Sequence, residues 1–246
     1  MWSNTPSVVI GRHQNPWLEI NIPYVIENKI NIVRRYSGGG TVYHDLGNLN
    51  ISILTEHSYH CRPKNLSMLS NILNNKYKIN ILPNKRDDMI LNPGERKISG
   101  TAARISRGRA YHHLTLLVNV DLLTLKKALK SPWIDRIETN ATRSVPANAV
   151  GFLEQEVKNI TVEDVRETLI NGLTERNNGE IKINLVNPDN DGEIDVNDWE
   201  SLRSWNWIYG KTPKFIYKYT EKKIPLEIEK GKIKTLDREL PRILPD

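Results

Sequence analysis

An α+β fold is predicted, and three features of the sequence predict it. Strand-like and helix-like stretches follow one another irregularly, without the strict strand–helix repeat of a doubly wound parallel sheet. The helical stretches are amphipathic: between 63 and 75, Leu66, Leu69, Ile72 and Leu73 fall on one face. Finally, 246 residues with 38% hydrophobic and 26% charged side chains suit one large globular domain with at most a small appendage.

"SVVIG" (7–11) reads as a buried strand stopped by Gly11. "NIPYVIENKI" (21–30) reads as a short helix capped by Asn21, with Pro23 in its first turn. "NLNISIL" (48–54) alternates polar and apolar residues with period two, so it is a strand. The helix at 63–75 leads into a strand at "YKINIL" (77–82), and "YHHLTLLVNV" (111–120) is rich in β-formers. A helix is expected over 122–130. Another covers 161–173, where Thr161 and Asp164 have capping-box spacing. "NNG" (177–179) turns the chain into a strand "EIKINLV", and "KIPLEIEKGKIKTL" (223–236) reads as two strands about a Lys-Gly turn.

Composition narrows the function classes. A net charge of +6 attracts acidic partners in general, but the basic residues are dispersed and no basic stripe is interleaved with aromatics. Nucleic-acid binding is therefore not expected. No apolar run approaches the roughly 20 residues a membrane span requires. Cys61 is the only cysteine, which precludes an intramolecular disulfide. It follows His60, but adjacent side chains rarely converge on one reacting atom. His112 and His113 adjoin on a strand and point to opposite faces, so no metal site is expected there.

Two stretches carry chemistry. "RRYSGGGTVYHD" (34–45) fits neither dinucleotide nor P-loop spacing. Three consecutive glycines nevertheless bare main-chain N–H groups suited to a phosphate or carboxylate, with Arg34 and Arg35 offering charge at one edge and Thr41 a hydroxyl at the other. A plain flexible hairpin explains a bare triglycine equally well. "GERKISGTAARISRGRAYHHLTLL" (94–117) presents Lys97, a residue type suited to a site where negative charge develops. The bland reading of Lys97 is a solvated strand-edge lysine.

Taken together, "VVIGRHQNPWLE", "RRYSGGGTVYHDLGNLN", "ERKISGTA", "AYHHLTLL", "NATRSVP" and "WNWIYGKTPKF" resemble, in order and spacing, the lipoate–protein ligase A family, most closely its mitochondrial lipoyltransferase branch. The resemblance spans roughly residues 2 to 220. It implies an α+β catalytic domain of the biotin/lipoate–protein ligase type with a mixed sheet over residues 1–212, followed at 213–246 by only the opening strands of a C-terminal accessory domain. The chain begins at the family's first shared motif, so it reads as shortened at both ends.

The implied activity is transfer of a lipoyl or octanoyl group from lipoyl-AMP or a lipoylated carrier protein. The acceptors are lysines on the lipoyl domains of 2-oxoacid dehydrogenase E2 subunits or on the glycine cleavage H protein. By resemblance, Lys97 contacts the acyl carbonyl and phosphate together. The loop of Arg35, Ser37, Gly38, Gly39, Gly40 and Thr41 wraps the mixed anhydride. Tyr43, Arg86, Asp88 and Thr115 match ligand-contacting positions, and Val145 and Ala147 match the nucleotide-embracing loop. No metal ligand is implied. Where related octanoyltransferases place a nucleophilic cysteine, this chain has "KSPW". "ANAVGFL" also departs from the basic, Asn-containing pattern usual after "SVP". Two alternatives stay open: a full ligase that also makes lipoyl-AMP from lipoate, ATP and Mg²⁺, and a non-catalytic module that binds lipoyl-AMP or lipoyl domains. A monomer without membrane association, located in mitochondria, is expected on the same resemblance.

Overall fold

The structure is a computed structural model that describes residues 1–147, 149–187, 196–219 and 225–234. In chain order the strands are β1 (Ser7–Ile10), β2 (Asn31–Arg34), β3 (Val42–His44), β4 (Asn48–Glu56), β5 (Asn80–Pro83), β6 (Met89–Asn92), β7 (Arg96–Lys97), β8 (Ser99–Ser106), β9 (Arg109–Leu117), β10 (Ile137–Glu138), β11 (Phe215–Lys218), β12 (Pro225–Glu229) and β13 (Lys232–Ile233). The helices are α1 (Pro16–Glu19), α2 (Ile22–Glu27), α3 (Arg62–Tyr77), α4 (Leu122–Ala128), α5 (Val162–Arg176), α6 (Val196–Arg203) and α7 (Trp205–Ile208). Mixed helices and sheets make this an α+β fold, as the sequence predicts.

The chain forms two compact units, each gathered from separated stretches. The first holds Met1–Thr5, His44–Leu122 and the described part of Pro146–Gly192. Its antiparallel sheet β4-β9-β8 buries Leu49, Ile51, Leu114 and Leu116 against Leu66, Leu69 and Leu73 of α3 and Val165 and Leu169 of α5. Each such aliphatic side chain contributes about 1.5–3 kcal/mol on burial, which is why these helices form on this face. Helices α3 and α5 approach closely: a Cβ at Gly172 would sit 2.6 Å from Ile72 Cγ2. A second sheet, β5-β6-β7, carries Lys97 at its margin.

The other unit holds Pro6–Tyr43, Leu123–Val145 and the described part of Glu193–Asp246. Strand β1 lies between β2, with which it pairs in parallel, and β3. A separate sheet runs β10-β11-β12-β13. Trp17, Phe215 and Ile228 are buried in this unit, and the Trp17 and Phe215 rings lie 5.4 Å apart.

Local signals resolve as expected at several points. Asn21 Oδ1 accepts from Tyr24 N–H at 3.3 Å. Thr161 and Asp164 form the reciprocal capping box, which holds the exposed Asp164 carboxyl below its usual range through the Thr161 hydroxyl and N–H. Lys230 (φ 52) and Gly231 (φ 72) make the turn between β12 and β13; the rest of the 223–236 reading lies partly outside the described residues.

Three readings need correction. Helix α3 runs on through Tyr77 and ends at Lys78 in the left-handed region (φ 57), so the following strand starts at Asn80. The Asn74 amide fixes that turn, donating to Ile81 O at 2.9 Å and accepting from Ile81 N at 2.8 Å. Residues 180–186 are not a strand: they pair with no described strand, and Leu185 is 95% exposed. β-propensity without a neighbouring edge forms no ladder. Strand β4 is present, but its burial does not alternate: Asn48 through Ile51 are all buried, and exposure begins only toward Leu54.

Candidate active site

Two clusters hold the residues singled out from the sequence, one in each unit. In the first unit, Lys97 is not an edge lysine. Strand β6 pairs with it on one side through Ile90. On the other side its N–H donates to Ala149 O at 2.9 Å and its carbonyl accepts from Gly151 N at 3.0 Å, bridging in parallel to Val150. Its backbone is thus fixed from both flanks while the ammonium stays half-buried. Lys97 Nζ lies 2.6 Å from Asp88 Oδ1, and the Asp88 side chain is 8% exposed. The approach to β6 positions that carboxylate: Asn84 Oδ1 accepts from Arg86 N at 2.8 Å and Asp88 N at 3.0 Å, and Asn84 N donates to Asp88 O at 2.9 Å. Asp87, at φ 60, pairs with Arg62 at 3.1 Å.

Arg86 is exposed on this turn, and Ala147 is half-buried near the start of the segment that pairs with Lys97. Thr115 is buried opposite Gly100 in the β8–β9 ladder, where its Oγ1 accepts from Gly100 N at 2.9 Å. That bond fixes the strand two residues beyond Ile98, so Thr115 is committed to the ladder. His112 and His113 do face opposite ways. His112 is fully buried, with Nδ1 3.3 Å from the Asn65 amide nitrogen, whereas the His113 ring lies 5.4 Å from Trp2. Burial, then the nearby His60, Arg62 and His113, lowers the His112 pKa to about 4. Among the described residues, no group of three or more His, Cys, Asp or Glu is placed to hold a metal ion, and no helix is long and apolar enough to cross a membrane.

In the second unit the glycine loop is shaped from within. Arg34 was expected to offer charge at the loop's edge; instead it is buried, because β2 points it inward. Its guanidinium donates to the carbonyls of Ile208, Gly11, Arg12 and Gln14 and to Thr212 Oγ1. Burial lowers its pKa to about 10. The "WNWIYGKTPKF" motif supplies Ile208 and Thr212, and Trp207 Nε1 donates to Arg34 O at 2.7 Å. Arg35 likewise turns onto the main chain, donating to Val9 O at 3.0 Å, Gly38 O at 2.8 Å and Gly40 O at 2.6 Å. Arg35 thus holds the loop's Gly38 and Gly40 carbonyls, while Arg34 ties its strand to segments outside the loop. Thr41 is also engaged: its hydroxyl donates to Gln14 Oε1 at 2.7 Å.

The glycines differ in what requires them. Gly39 has φ 93, which favours glycine. A Cβ at Gly40 would lie 3.0 Å from Ser144 Oγ, and one at Gly11 would lie 2.0 Å from Gly39 O. At Gly38 no described atom lies within 4 Å of a Cβ. The fold therefore explains Gly39, Gly40 and Gly11, but leaves open space over Gly38. Ser37 and Tyr43 are buried beside the loop, and Val145 is 65% exposed. Sequence reasoning gave no role to Gln14, Glu19, Asn84 or Ser144. Gln14, Glu19 and Ser144 lay inside recognised motifs, but polar residues of these types are too common to stand out alone.

The lipoyl protein ligase A/B catalytic domain family matches residues 1–174. The chain belongs to that family. It is 39% identical over 253 residues to the human protein named lipoyl amidotransferase LIPT1, mitochondrial, covering 98% of this chain and 67% of that protein. With the Bacillus subtilis lipoate-protein ligase LplJ, identity is 32%, covering 94% of this chain and 71% of that one. Among solved structures, Plasmodium falciparum LipL1 in complex with lipoate superposes with a TM-score of 0.71 at 30% identity, over 94% of this chain and 68% of that one. A Thermoplasma acidophilum bipartite lipoate protein ligase, described with its E2 lipoyl domain, gives 0.60 at 26% identity, over 75% of this chain and 72% of that one. The chain thus spans about two-thirds of the length of the curated relatives it matches.

Proposed function

We infer that this chain is an acyltransferase of protein lipoylation, moving a lipoyl group from an activated donor to a lysine of a lipoyl domain. The observation that carries the reading is the setting of Lys97: a half-buried ammonium on a segment paired on both sides, beside the buried Asp88 carboxylate. On this reading the donor is lipoyl-AMP. The acceptor lysine's neutral amine attacks the acyl carbonyl, a C–N bond forms, and the C–O bond to the phosphate breaks. AMP leaves with the electron pair and the amine's extra proton is lost to solvent. Lys97 stabilises the oxyanion and the departing phosphate, and Asp88 holds the ammonium oriented between turnovers. The glycine loop, its carbonyls held by Arg35, offers N–H groups toward the anhydride, with the space over Gly38 as the place of close approach. Tyr43, Arg86, Thr115, Val145 and Ala147 complete the proposed binding set, the last two through main chain or packing.

The similarity to mitochondrial LIPT1 supports a mitochondrial setting, and the E2 lipoyl domain named with the archaeal ligase supports lipoyl domains as acceptors. The H protein and a monomeric state belong to the same proposal. Residues 1–212 as the catalytic part and 213–246 as the start of an accessory domain belong to the same proposal, of which the family match covers 1–174.

The test is the intact mass of an apo lipoyl domain after incubation with the protein and synthetic lipoyl adenylate. A lipoyl mass gain above the enzyme-free control, lost in Lys97→Ala, is expected; no gain from folded protein would sink the reading and favour a binding module. A second reading, a full ligase, draws on the likeness to LplJ and LipL1. Exchange of pyrophosphate into ATP, dependent on lipoate and Mg²⁺, would decide for it.

A further inference from the structure

Four polar groups meet behind the exit of the glycine loop, and three of them, Glu19, Gln14 and Ser144, have no place in the chemistry above. Glu19, buried at the end of α1, accepts the Ser144 N–H on both carboxylate oxygens, each at 3.1 Å. The Ser144 hydroxyl oxygen accepts from Thr41 N–H at 2.8 Å and from Gln14 Nε2 at 3.0 Å. Gln14 Oε1 in turn accepts from the Thr41 hydroxyl at 2.7 Å and from Gly11 N–H at 3.2 Å. Ser144 belongs to no regular element and is 103 residues from Thr41 in sequence. One side chain therefore ties an irregular segment to the last turn of the glycine loop.

The contact is exacting. A Cβ at Gly40 would stand 3.0 Å from Ser144 Oγ, so a side chain at residue 40 would press on this hydroxyl. A Cβ at Gly11 would stand closer still, 2.0 Å from Gly39 O, and the Gly11 N–H ends on the same Gln14 amide. The Gln14 amide is engaged at both ends: its oxygen takes two donors while its nitrogen donates to Ser144. Replacing any one member leaves buried donors or acceptors unmatched, a larger cost than the bond itself.

We propose that Ser144, anchored by Glu19 and oriented by Gln14, is a positioning residue that sets the glycine loop in its donor-binding form and couples it to the segment carrying Val145. This rests on the acyltransferase reading. It differs from that reading in assigning loop geometry, and hence donor affinity, to a hydroxyl spent on Thr41 N–H and the Gln14 amide. Losing the hydroxyl weakens donor capture while the reacting groups keep their arrangement, so the Michaelis constant moves and turnover does not.

The test pairs a binding-independent readout with kinetics, using the whole chain and the variants Ser144→Ala and Ser144→Thr. Without any substrate, hydrogen exchange of the peptide containing Thr41 is expected to quicken about fivefold to tenfold in Ser144→Ala, the effect of losing one hydrogen bond, and to return toward the parent value in Ser144→Thr. With lipoyl adenylate and an apo lipoyl domain, Ser144→Ala is expected to raise the donor KM about tenfold with kcat within about twofold, and Ser144→Thr to restore it. Unchanged exchange in Ser144→Ala overturns the proposal, as does a threonine variant as impaired as alanine. If the parent transfers nothing while the exchange pattern appears as described, the positioning role of Ser144 stands and the acyltransferase reading falls.

Discussion

Lys97 and Asp88 illustrate how a single pair divides work between holding and acting. The carboxylate is fixed by Asn84 through backbone bonds of the turn, and the lysine by main-chain bonds on both flanks, so both charges are set before a donor arrives. Lys97→Ala should reduce kcat for transfer from lipoyl adenylate by about 10²- to 10³-fold, the usual effect of deleting one preorganised charge at a developing oxyanion. Asp88→Asn, which keeps the shape and loses the charge, should cost about tenfold, since the ammonium loses its partner and not its place. Both are read in single-turnover assays, and equal losses would contradict a holding role for Asp88. His112 supports a separate expectation. Its pKa is lowered to about 4 by burial against an ordinary 6.5, so between these values the unfolded chain takes up a proton that the folded chain refuses. Stability should therefore fall as pH drops from 6.5 toward 4, by up to about 3 kcal/mol from this group. Urea midpoints measured across that range should decline in the parent and decline less steeply in His112→Leu.

At the level of elements, the glycine loop separates glycines that the fold needs from one that it does not. Gly11→Ala would push a methyl to 2.0 Å from Gly39 O, between two backbone segments tied by Arg35, and should cost about 2 kcal/mol or more of stability. Gly38→Ala meets no described atom within 4 Å and should leave the melting temperature within about 2 °C of the parent. If the space over Gly38 receives the donor, that same change should raise the donor KM several-fold; a full set of parent kinetic constants would remove Gly38 from the site. Legibility in the sequence followed the same division. Caps and periodic faces were readable because their signals are local: Asn21, the Thr161–Asp164 box and the Leu66–Leu73 face each need only a few neighbouring residues. The stretch 180–186 was misread because strand propensity says nothing of whether a partner edge is present. The roles of Arg34 and Arg35 were misread for a related reason. Their sequence neighbourhood suggests charge offered to a ligand, whereas the carbonyls of Gly11, Gln14 and Ile208 that consume Arg34 come from distant parts of the chain.

Over the whole molecule, each unit is assembled from stretches far apart in sequence, and so are the polar contacts that shape the candidate site: Glu19 with Ser144, Gln14 with Thr41, Lys97 with Ala149. Motifs in register made the family legible and marked Lys97, yet the residues that hold those motifs in place became visible only in three dimensions. Net charge is the property of the whole chain that sequence does give directly, at +6. Ion pairs such as Glu227 with Lys214 and Glu163 with Arg166 cancel charge one for one, so the net positive excess is carried by the remaining basic side chains. On the proposed function, an acceptor domain of net negative charge would be drawn to such a surface at long range, and screening would weaken that attraction as the Debye length shortens from about 10 Å at 0.1 M salt to about 3 Å at 1 M. The donor is small and its capture depends on short-range bonds within the loop, so salt should act on the acceptor alone. Transfer assayed from about 0.05 M to about 0.5 M salt should show the acceptor kcat/KM falling about tenfold or more while the donor KM holds nearly constant. A flat acceptor profile would show that the charge excess plays no part in acceptor capture, and a donor KM that rises in parallel would place the salt-sensitive step at the glycine loop instead.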